Sequence, residues 1–278
     1  MMAPFNVIYI IMKMKTAYES MQDIITAGAT PMQLLRVTAN LRLQTLERHL
    51  KTISDNKIMD GSFKGVMHAE KAFGSVLSPK ILGTYEAELV HEIMPILPGK
   101  SCFLDIGCAE GYYTTGVAVK SDIPKVIGVD INAAALTAAK NNAALNGVDH
   151  KCDFFAQLAD AIDDIGSDPL IMVDVDGDEL TVLKGLFEKC QDGKFNTLTM
   201  VIKTDYWPDH SSNKDDIVDE LLRHDFQITK IIEQDIRLRF SAISKRLTRS
   251  YLDQALLGLE GRPNDQCWVI ATRPAGGS

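Results

Sequence analysis

Ser101-Cys102-Phe103-Leu104-Asp105-Ile106-Gly107-Cys108-Ala109-Glu110-Gly111-Tyr112-Tyr113-Thr114-Thr115-Gly116 decides how this chain folds. Cys102 to Leu104 is a short apolar run that ends on Asp105, the pattern of a strand buried on both faces. Ile106 to Gly111 then turns the chain. Gly107 and Gly111 lack a Cβ, so the backbone there can take unusual dihedrals and approach a ligand closely. A helix is expected from about Tyr112, and its first N–H groups are available to an anion. The two glycines stand at G-x-x-x-G with an acid two residues before the first. That is not the G-x-G-x-x-G of nicotinamide and flavin folds, so NAD is not expected to bind.

Working outward, Val126-Ile127-Gly128-Val129-Asp130 is a second apolar strand ending in an acid. Asp130 follows Asp105 by 25 residues, the place of a ribose-binding carboxylate in a nucleoside-binding βαβ unit. A carboxylate accepts several hydrogen bonds and suits a vicinal diol. Beyond it strands and helices alternate. Asn132 to Leu145 is an Ala-rich helix capped by Asn132 and closed by Asn146-Gly147. Val148 to Phe155 holds a strand, Leu170 to Asp174 a fourth and Thr197 to Lys203 a fifth. Helices are expected at Asp178–Cys190 and Lys214–Arg223, and strands at Phe226–Ile232 and Cys267–Thr272. This alternation predicts an α/β fold with a doubly wound, Rossmann-like sheet.

The run Asp105-x-Gly107-x-x-x-Gly111, with Asp130 after the next strand, closely resembles motif I and the following acid of class I S-adenosylmethionine (SAM) methyltransferases. The resemblance covers about residues 81 to 205. It implies a seven-stranded sheet whose last strand, 267–272, is antiparallel. It implies SAM as cofactor, held by Asp105, Gly107, Cys108, Glu110, Gly111 and Tyr112 in the loop and by Asp130 and Ile131 at the ribose. Asp153 and Phe154 would grip the adenine, and Asp174 would close the site. Leu170 to Leu186, LIMVDVDGDELTVLKGL, resembles FkbM-type methyltransferases at Asp174, Gly177, Glu179, Leu183 and Gly185, with Asp176 in place of their usual Glu. That subgroup implies O-methylation of a small-molecule or sugar hydroxyl. The fifth strand departs from it, ending Val201-Ile202-Lys203-Thr204-Asp205 where an acid and often a His would be expected.

A sulfonium methyl is already activated, so such an enzyme chiefly aligns an acceptor. A hydroxyl acceptor must also lose a proton to a base or a metal. The strand ends that form a ligand crevice offer Asp176 and His210 as catalytic candidates, with Asp176 alternatively capping the next helix. Mg²⁺ held by Asp174 and Asp205, as in catechol-type O-methyltransferases, is the alternative that is not favoured, because that family's third metal position and catalytic Lys are absent; no metal ligand is assigned. The competing functions are an N-methyltransferase acting on an amine or a macromolecule, against which the missing Asn/Asp-Pro-Pro-aromatic signature counts, and a SAM-binding protein without catalysis.

The chain has 278 residues and a net charge of −8, which speaks against a sequence-independent hold on nucleic acid. Its five scattered cysteines form no C-x-x-C pair, suggesting reduced thiols and a cytoplasmic protein. The apolar run Phe5 to Met12 is too short to span a bilayer and reads as an edge strand or buried arm. Residues 1–80 are expected to form a helical extension or lid, and 81–278 the methyltransferase domain. Thr30-Pro31-Met32-Gln33 starts a long helix with a capping box, and Leu35, Ala39, Leu43, Leu46, Leu50 and Ile53 form one apolar stripe. The stripe packs on its own domain or on a second copy in a homodimer. Tyr85, Glu86 and His68 are lid candidates. Arg237, Arg239, Lys245, Arg246 and Arg249 lie between the last two strands. They suggest either an anionic acceptor, with Arg237 and Arg239 alternating along a strand, or a surface paired with Asp235, Asp253 or Glu260. The expected partner is thus a small-molecule acceptor, with no nucleic acid and no membrane.

Overall fold

β1 (Cys102–Ile106) is buried along its whole length, as its uninterrupted apolar run requires. It pairs in parallel with β2 (Val126–Val129) on one side and β4 (Pro169–Val173) on the other. β3 (Cys152–Phe155) adds to β2, and β5 (Leu198–Lys203) adds to β4, again in parallel. β7 (Cys267–Arg273) runs antiparallel between β5 and β6 (Gln227–Glu233). The resulting order, β3-β2-β1-β4-β5-β7-β6, is the seven-stranded sheet with an antiparallel last strand that was expected. The strand order reverses between β1 and β4, and a crevice opens at their carboxyl ends. This computed structural model describes residues 19, 21–68, 71–189, 195–206, 211–260 and 266–274. The expectations for Phe5–Met12 and for His210 lie outside the described residues.

Successive strand residues face opposite sides, so the sheet carries two cores. On one side Phe103, Leu170, Met172, Val201 and Trp268 pack with Val117 of α4 (Tyr112–Lys120) and Leu89 and Ile93 of α3 (Ala87–Ile93). On the other, Leu104, Ile127, Ile171 and Ile202 pack with Leu183 and Leu186 of α7 (Glu179–Lys189) and Ile217 and Leu221 of α8 (Lys214–Arg223). α5 (Ala133–Leu145) and the short α6 (Leu158–Ala161) link β2 to β3 and β3 to β4.

The extension forms a long helix, α1 (Pro31–Ser54), with both reciprocal bonds of its capping box: Gln33 N–H donates to Thr30 Oγ1 and Thr30 N–H to Gln33 Oε1. Helix does not run on to residue 80. Residues 55–68 and 71–76 are loop and turn around a Lys57–Met67 bridge, ahead of α2 (Leu77–Leu82). Gly61, Gly65 and Gly74, all at positive φ, break the chain there. The loop is not a separate layer, since Ile58, Phe63 and Val66 are buried in the same core as Phe103.

Residues between β6 and β7 fold into a one-turn 3₁₀ helix (Ile236–Arg239), α9 (Ala242–Leu247) and α10 (Tyr251–Gly258). Leu50 of α1, Leu77, Ile81 and Leu82 of α2, and Leu257 of α10 make a third apolar cluster. The apolar stripe of α1 therefore meets the chain's own insertion towards its C-terminal end, while Met32 and Leu35 stay exposed. Arg237 and Arg239 do not alternate on a strand. Arg237 binds Asp235, and Arg239 is buried between Glu88 and Glu260, because a turn of 3₁₀ helix sends neighbouring side chains in different directions. No helix among the described residues is long and apolar enough to cross a membrane.

Candidate functional site

The crevice over β1, β2 and β4 has a volume of about 540 Å³, within the range that buries a small organic ligand. Its floor is the glycine loop. Gly107 has φ +88°, and a Cβ there would stand 1.7 Å from the Asp174 carbonyl oxygen, so the loop lies on the end of β4 as only glycine allows. Gly107 and Cys108 N–H both donate to Val129 O, tying the loop to β2. Ala109 N–H donates to Asp130 Oδ2 at 2.8 Å and Asn132 N–H to Asp130 Oδ1 at 2.7 Å. These bonds orient the Asp130 carboxylate and leave lone pairs for a diol. Beside it Ile131 is 86% exposed, an apolar side chain held open at the crevice edge.

Asp105 lies beneath the loop, buried, and accepts a 2.7 Å bond from the Thr114 hydroxyl. Burial pushes its carboxyl up to about 7, and the nearby Asp174 and Asp130 charges add to this. Cys108 is buried at the crevice wall, and burial pushes its thiol well above the ordinary range, so it fills the turn and is not a nucleophile. Tyr112 lines the crevice with its ring edge-to-face against Phe63 and Tyr85, each 5.2 Å away.

At the other end Asp174 accepts a 2.5 Å bond from Lys203 Nζ, which also lies 3.6 Å from Asp176. Lys203 is buried, whereas Asp176 is exposed, at φ +51°. Glu179, and not Asp176, accepts from Val175 and Gly177 N–H at the start of α7. Asp205 accepts a 2.7 Å bond from Gln266, and burial raises its carboxyl. The acids expected for Mg²⁺ are thus engaged by Lys203 and Gln266. Among the described residues no three acid, His or Cys side chains gather to hold an ion.

Four expected contacts are not crevice contacts. Glu110 is fully buried away from the crevice, bound to Lys80 and to Phe73 N–H at 2.8 Å, with His68 Nε2 3.3 Å from its carboxylate. The Lys80 charge and the His68 bond outweigh desolvation and pull its carboxyl down to about 2. Burial in turn holds His68 below the ordinary histidine range. Gly111 packs on Ala139, where its φ of +80° starts α4. Asp153 points to solvent and pairs with Lys125 at 3.3 Å, while Phe154 packs on the core near Gly128. Both stand too early on β3. The residues that reach the crevice are Ala156, Gln157 and Leu158, beyond the strand's end.

Sequence reading also missed Phe73, Gly74 and Lys80 on the crevice wall. They lie in the loop and α2 before motif I. Of the lid candidates, Tyr85 lines the crevice, Glu86 is buried and accepts a 2.5 Å bond from the Tyr113 hydroxyl, and His68 is buried against Glu110.

Residues 99–225, a little under half of the chain, match a family model described as a methyltransferase domain. Ribosomal protein L11 methyltransferase of Vibrio cholerae serotype O1 is 42% identical over 59 residues, 21% of this chain and 19% of that protein. The chain thus matches about a fifth of this curated relative's length. Among solved structures, ribosomal protein L11 methylase from Lactobacillus delbrueckii subsp. bulgaricus gives a TM-score of 0.47 at 17% identity, over 73% of this chain and 81% of that one. The M1A22 tRNA methyltransferase TrmK of B. subtilis gives 0.44 at 12% identity, over 67% and 65%. TrmK of M. capricolum, solved with S-adenosylhomocysteine, gives 0.44 at 12% identity, over 66% and 67%.

The matched domain and the sheet agree with a class I methyltransferase whose cofactor is SAM. The match is to the general domain and not to the FkbM subgroup. The expectation of a small-molecule acceptor without nucleic acid does not stand, because the curated relative is named for a ribosomal protein, a macromolecule.

Proposed function

We propose that this domain carries a methyl group from SAM to an amine nitrogen on a protein. The observation that carries the reading is the charge at the crevice mouth. Asp174, Asp176 and Asp178 line it, Asp205 stands close enough to feel the charges of Asp174 and Asp176, and the cation among them is the buried Lys203. Asp176 and Asp178 are exposed. Such a rim attracts an ammonium group. The L11 methyltransferase relative supports a protein acceptor on separate grounds. The FkbM-like run supplies three of the four acids, so its resemblance survives as the source of the rim and not of the acceptor class.

When bound, SAM supplies a methyl group already activated on sulfur. Asp130 and the glycine loop would hold the nucleoside, with Ile131 against its base. Lys203 fixes Asp174 and steadies Asp176. Asp176 receives the acceptor's N–H, orients the nitrogen and carries its proton towards solvent, to which it is open. Cys102, Cys108, Cys152 and Cys267 are free thiols, in keeping with a reducing cytoplasm.

The test is methyl transfer from radiolabelled SAM to separated ribosomal proteins and to unmodified tRNA. Label in protein, recovered as an N-methyl amino acid and reduced at least tenfold in Asp176→Asn, is the expected result. Label that enters tRNA and not protein would refute the protein-amine reading.

A further inference from the structure

Two cationic side chains line the crevice among the described residues, Lys80 and Lys203. They sit in opposite surroundings. Lys203 is bracketed by two carboxylates, Asp174 and Asp176, at the acidic mouth. Lys80 is on α2, 3% exposed, and among the described residues its carboxylate partner is Glu110. That carboxylate is itself divided among Lys80, His68 and Phe73 N–H. Lys80 Nζ otherwise faces aromatic rings, 4.7 Å from the centre of Tyr85 and 5.5 Å from that of Tyr112, both on the crevice wall. Rings attract the charge but do not accept its hydrogen bonds as an anion does. An ammonium group has three donors, and Glu110 takes one of them. A buried lysine with donors to spare, on the wall of a ligand crevice, is suited to a carboxylate.

We infer that Lys80 receives the α-carboxylate of the cofactor's amino-acid part, an inference that rests on the SAM reading. The nucleoside end of the crevice is set by Asp130, an acid, and the mouth by Asp174, Asp176 and Asp178. A ligand carboxylate is repelled at both places. The Lys80 wall is the part of the crevice where it meets a cation without adjoining free acids. The chain thus sorts the charges of one zwitterionic ligand along one groove. Glu110 has the complementary task of holding the lysine ready when the crevice is empty. This explains a fully buried acid in the glycine loop that makes no crevice contact.

The experiment is calorimetric titration of the full chain with S-adenosylhomocysteine and with 5′-methylthioadenosine, which keeps the nucleoside and thioether but lacks the amino-acid part. In Lys80→Met, S-adenosylhomocysteine affinity should fall roughly tenfold to a hundredfold, the scale of one charge-assisted hydrogen bond. Methylthioadenosine affinity should stay within about twofold. Lys203→Met should not show this selective loss. Equal loss of both ligands in Lys80→Met, or a selective loss in Lys203→Met instead, would overturn the assignment. Decarboxylated S-adenosylhomocysteine, which retains the amine, tests it without any variant. It should bind wild type more weakly than S-adenosylhomocysteine by the same factor, and equal binding would overturn the role of Lys80. Wild-type protein that binds none of the three ligands refutes the SAM reading itself.

Discussion

The crevice floor and the cap made by α1, α3 and the 236–260 insertion are built by opposite means. The floor, residues 102–132, is held by contacts between near neighbours in sequence: Ala109 to Asp130 across 21 residues, Thr114 to Asp105 across 9. Most of them use backbone N–H groups and positions where only glycine fits. The cap joins α1 and α3 to the 236–260 insertion through charged side chains across very long separations. Arg42 meets Asp253 across 211 residues, Arg239 meets Glu88 across 151, and Glu86 N–H meets Glu260 across 174. A floor that must approach a ligand is specified by backbone geometry. The cap is specified by charges, several of them buried, where loss of one partner is costly.

Glu110 is the joint, a floor residue whose three partners all belong to the segment before motif I. Removing it is expected to break the comparison most severely. Glu110→Ala leaves Lys80 buried without its carboxylate, which costs about 3–5 kcal/mol. Urea unfolding measures it. A loss below about 1 kcal/mol would mean that cap and floor are independent. The pH dependence has a definite sign. The folded carboxyl is drawn down to about 2, below its ordinary value, so its contribution is complete above the ordinary carboxylate range and fades as pH falls towards 2. The wild-type advantage over Glu110→Ala should therefore shrink in acid.

On the floor itself, Asp130→Ala should weaken S-adenosylhomocysteine binding by about 1.5–3 kcal/mol, roughly ten- to a hundredfold. Calorimetry at neutral pH gives the value. Stability should change less than binding, because the freed Ala109 and Asn132 N–H groups lie at the crevice edge, where water replaces the carboxylate. Wild-type affinity in this variant would remove Asp130 from the site.

The same contrast explains what could be read in advance. Apolar runs ending in acids gave the sheet, because a strand buried on both faces has few other compositions. The Thr30–Gln33 capping box was legible because both partners lie within one turn. Asp130 was legible because its spacing from Asp105 is fixed by one βαβ unit. The side Glu110 would choose was not. It stands beside a glycine in a loop, and its direction is settled by Lys80 and His68, residues whose own position depends on the loop at 55–76. Asp153 was misplaced for a similar reason. Strand ends are poorly marked in sequence, and four residues decided whether β3 met the crevice with Asp153 or with Gln157. The arginines at 237 and 239 misled because strand and 3₁₀ helix share the same composition there.

Asp105 sharpens the comparison from within the floor, as a buried charge that the local backbone does not neutralise. Its carboxyl is raised to about 7, so the folded state holds a proton that the unfolded state has already lost. Stability that depends on that proton is present in acid and is lost as pH rises through 7. Asp105→Asn cannot ionise, and its side-chain oxygen can still accept from Thr114. Between pH 5.5 and 8.5 the variant should gain on the order of 2 kcal/mol relative to wild type. Urea midpoints at the two pH values read the difference. A constant difference would show that Asp105 is ionised throughout.

The smallest expected effect tests whether every charge in the cap counts equally. Arg42 binds Asp253 through two bonds, Nε at 2.8 Å and Nη2 at 2.6 Å, yet its side chain is 50% exposed. Arg239 makes a comparable two-pronged pair with Glu88, but both partners are buried. Water screens the Arg42 side of the first pair, and Asp253, though buried, keeps its bond from the Thr248 hydroxyl when Arg42 is removed, so Arg42→Ala should cost only about 0.2–1 kcal/mol, and less in high salt. Arg239→Ala leaves Glu88 and Glu260 buried without their cation and should cost several-fold more, with little dependence on salt. Unfolding of both variants at low and at molar salt separates the cases. If Arg42→Ala proved as damaging as Arg239→Ala, and indifferent to salt, the cap would be held by the geometry of its pairs and not by their burial. Ion-pair distance would then rank its contacts better than exposure does.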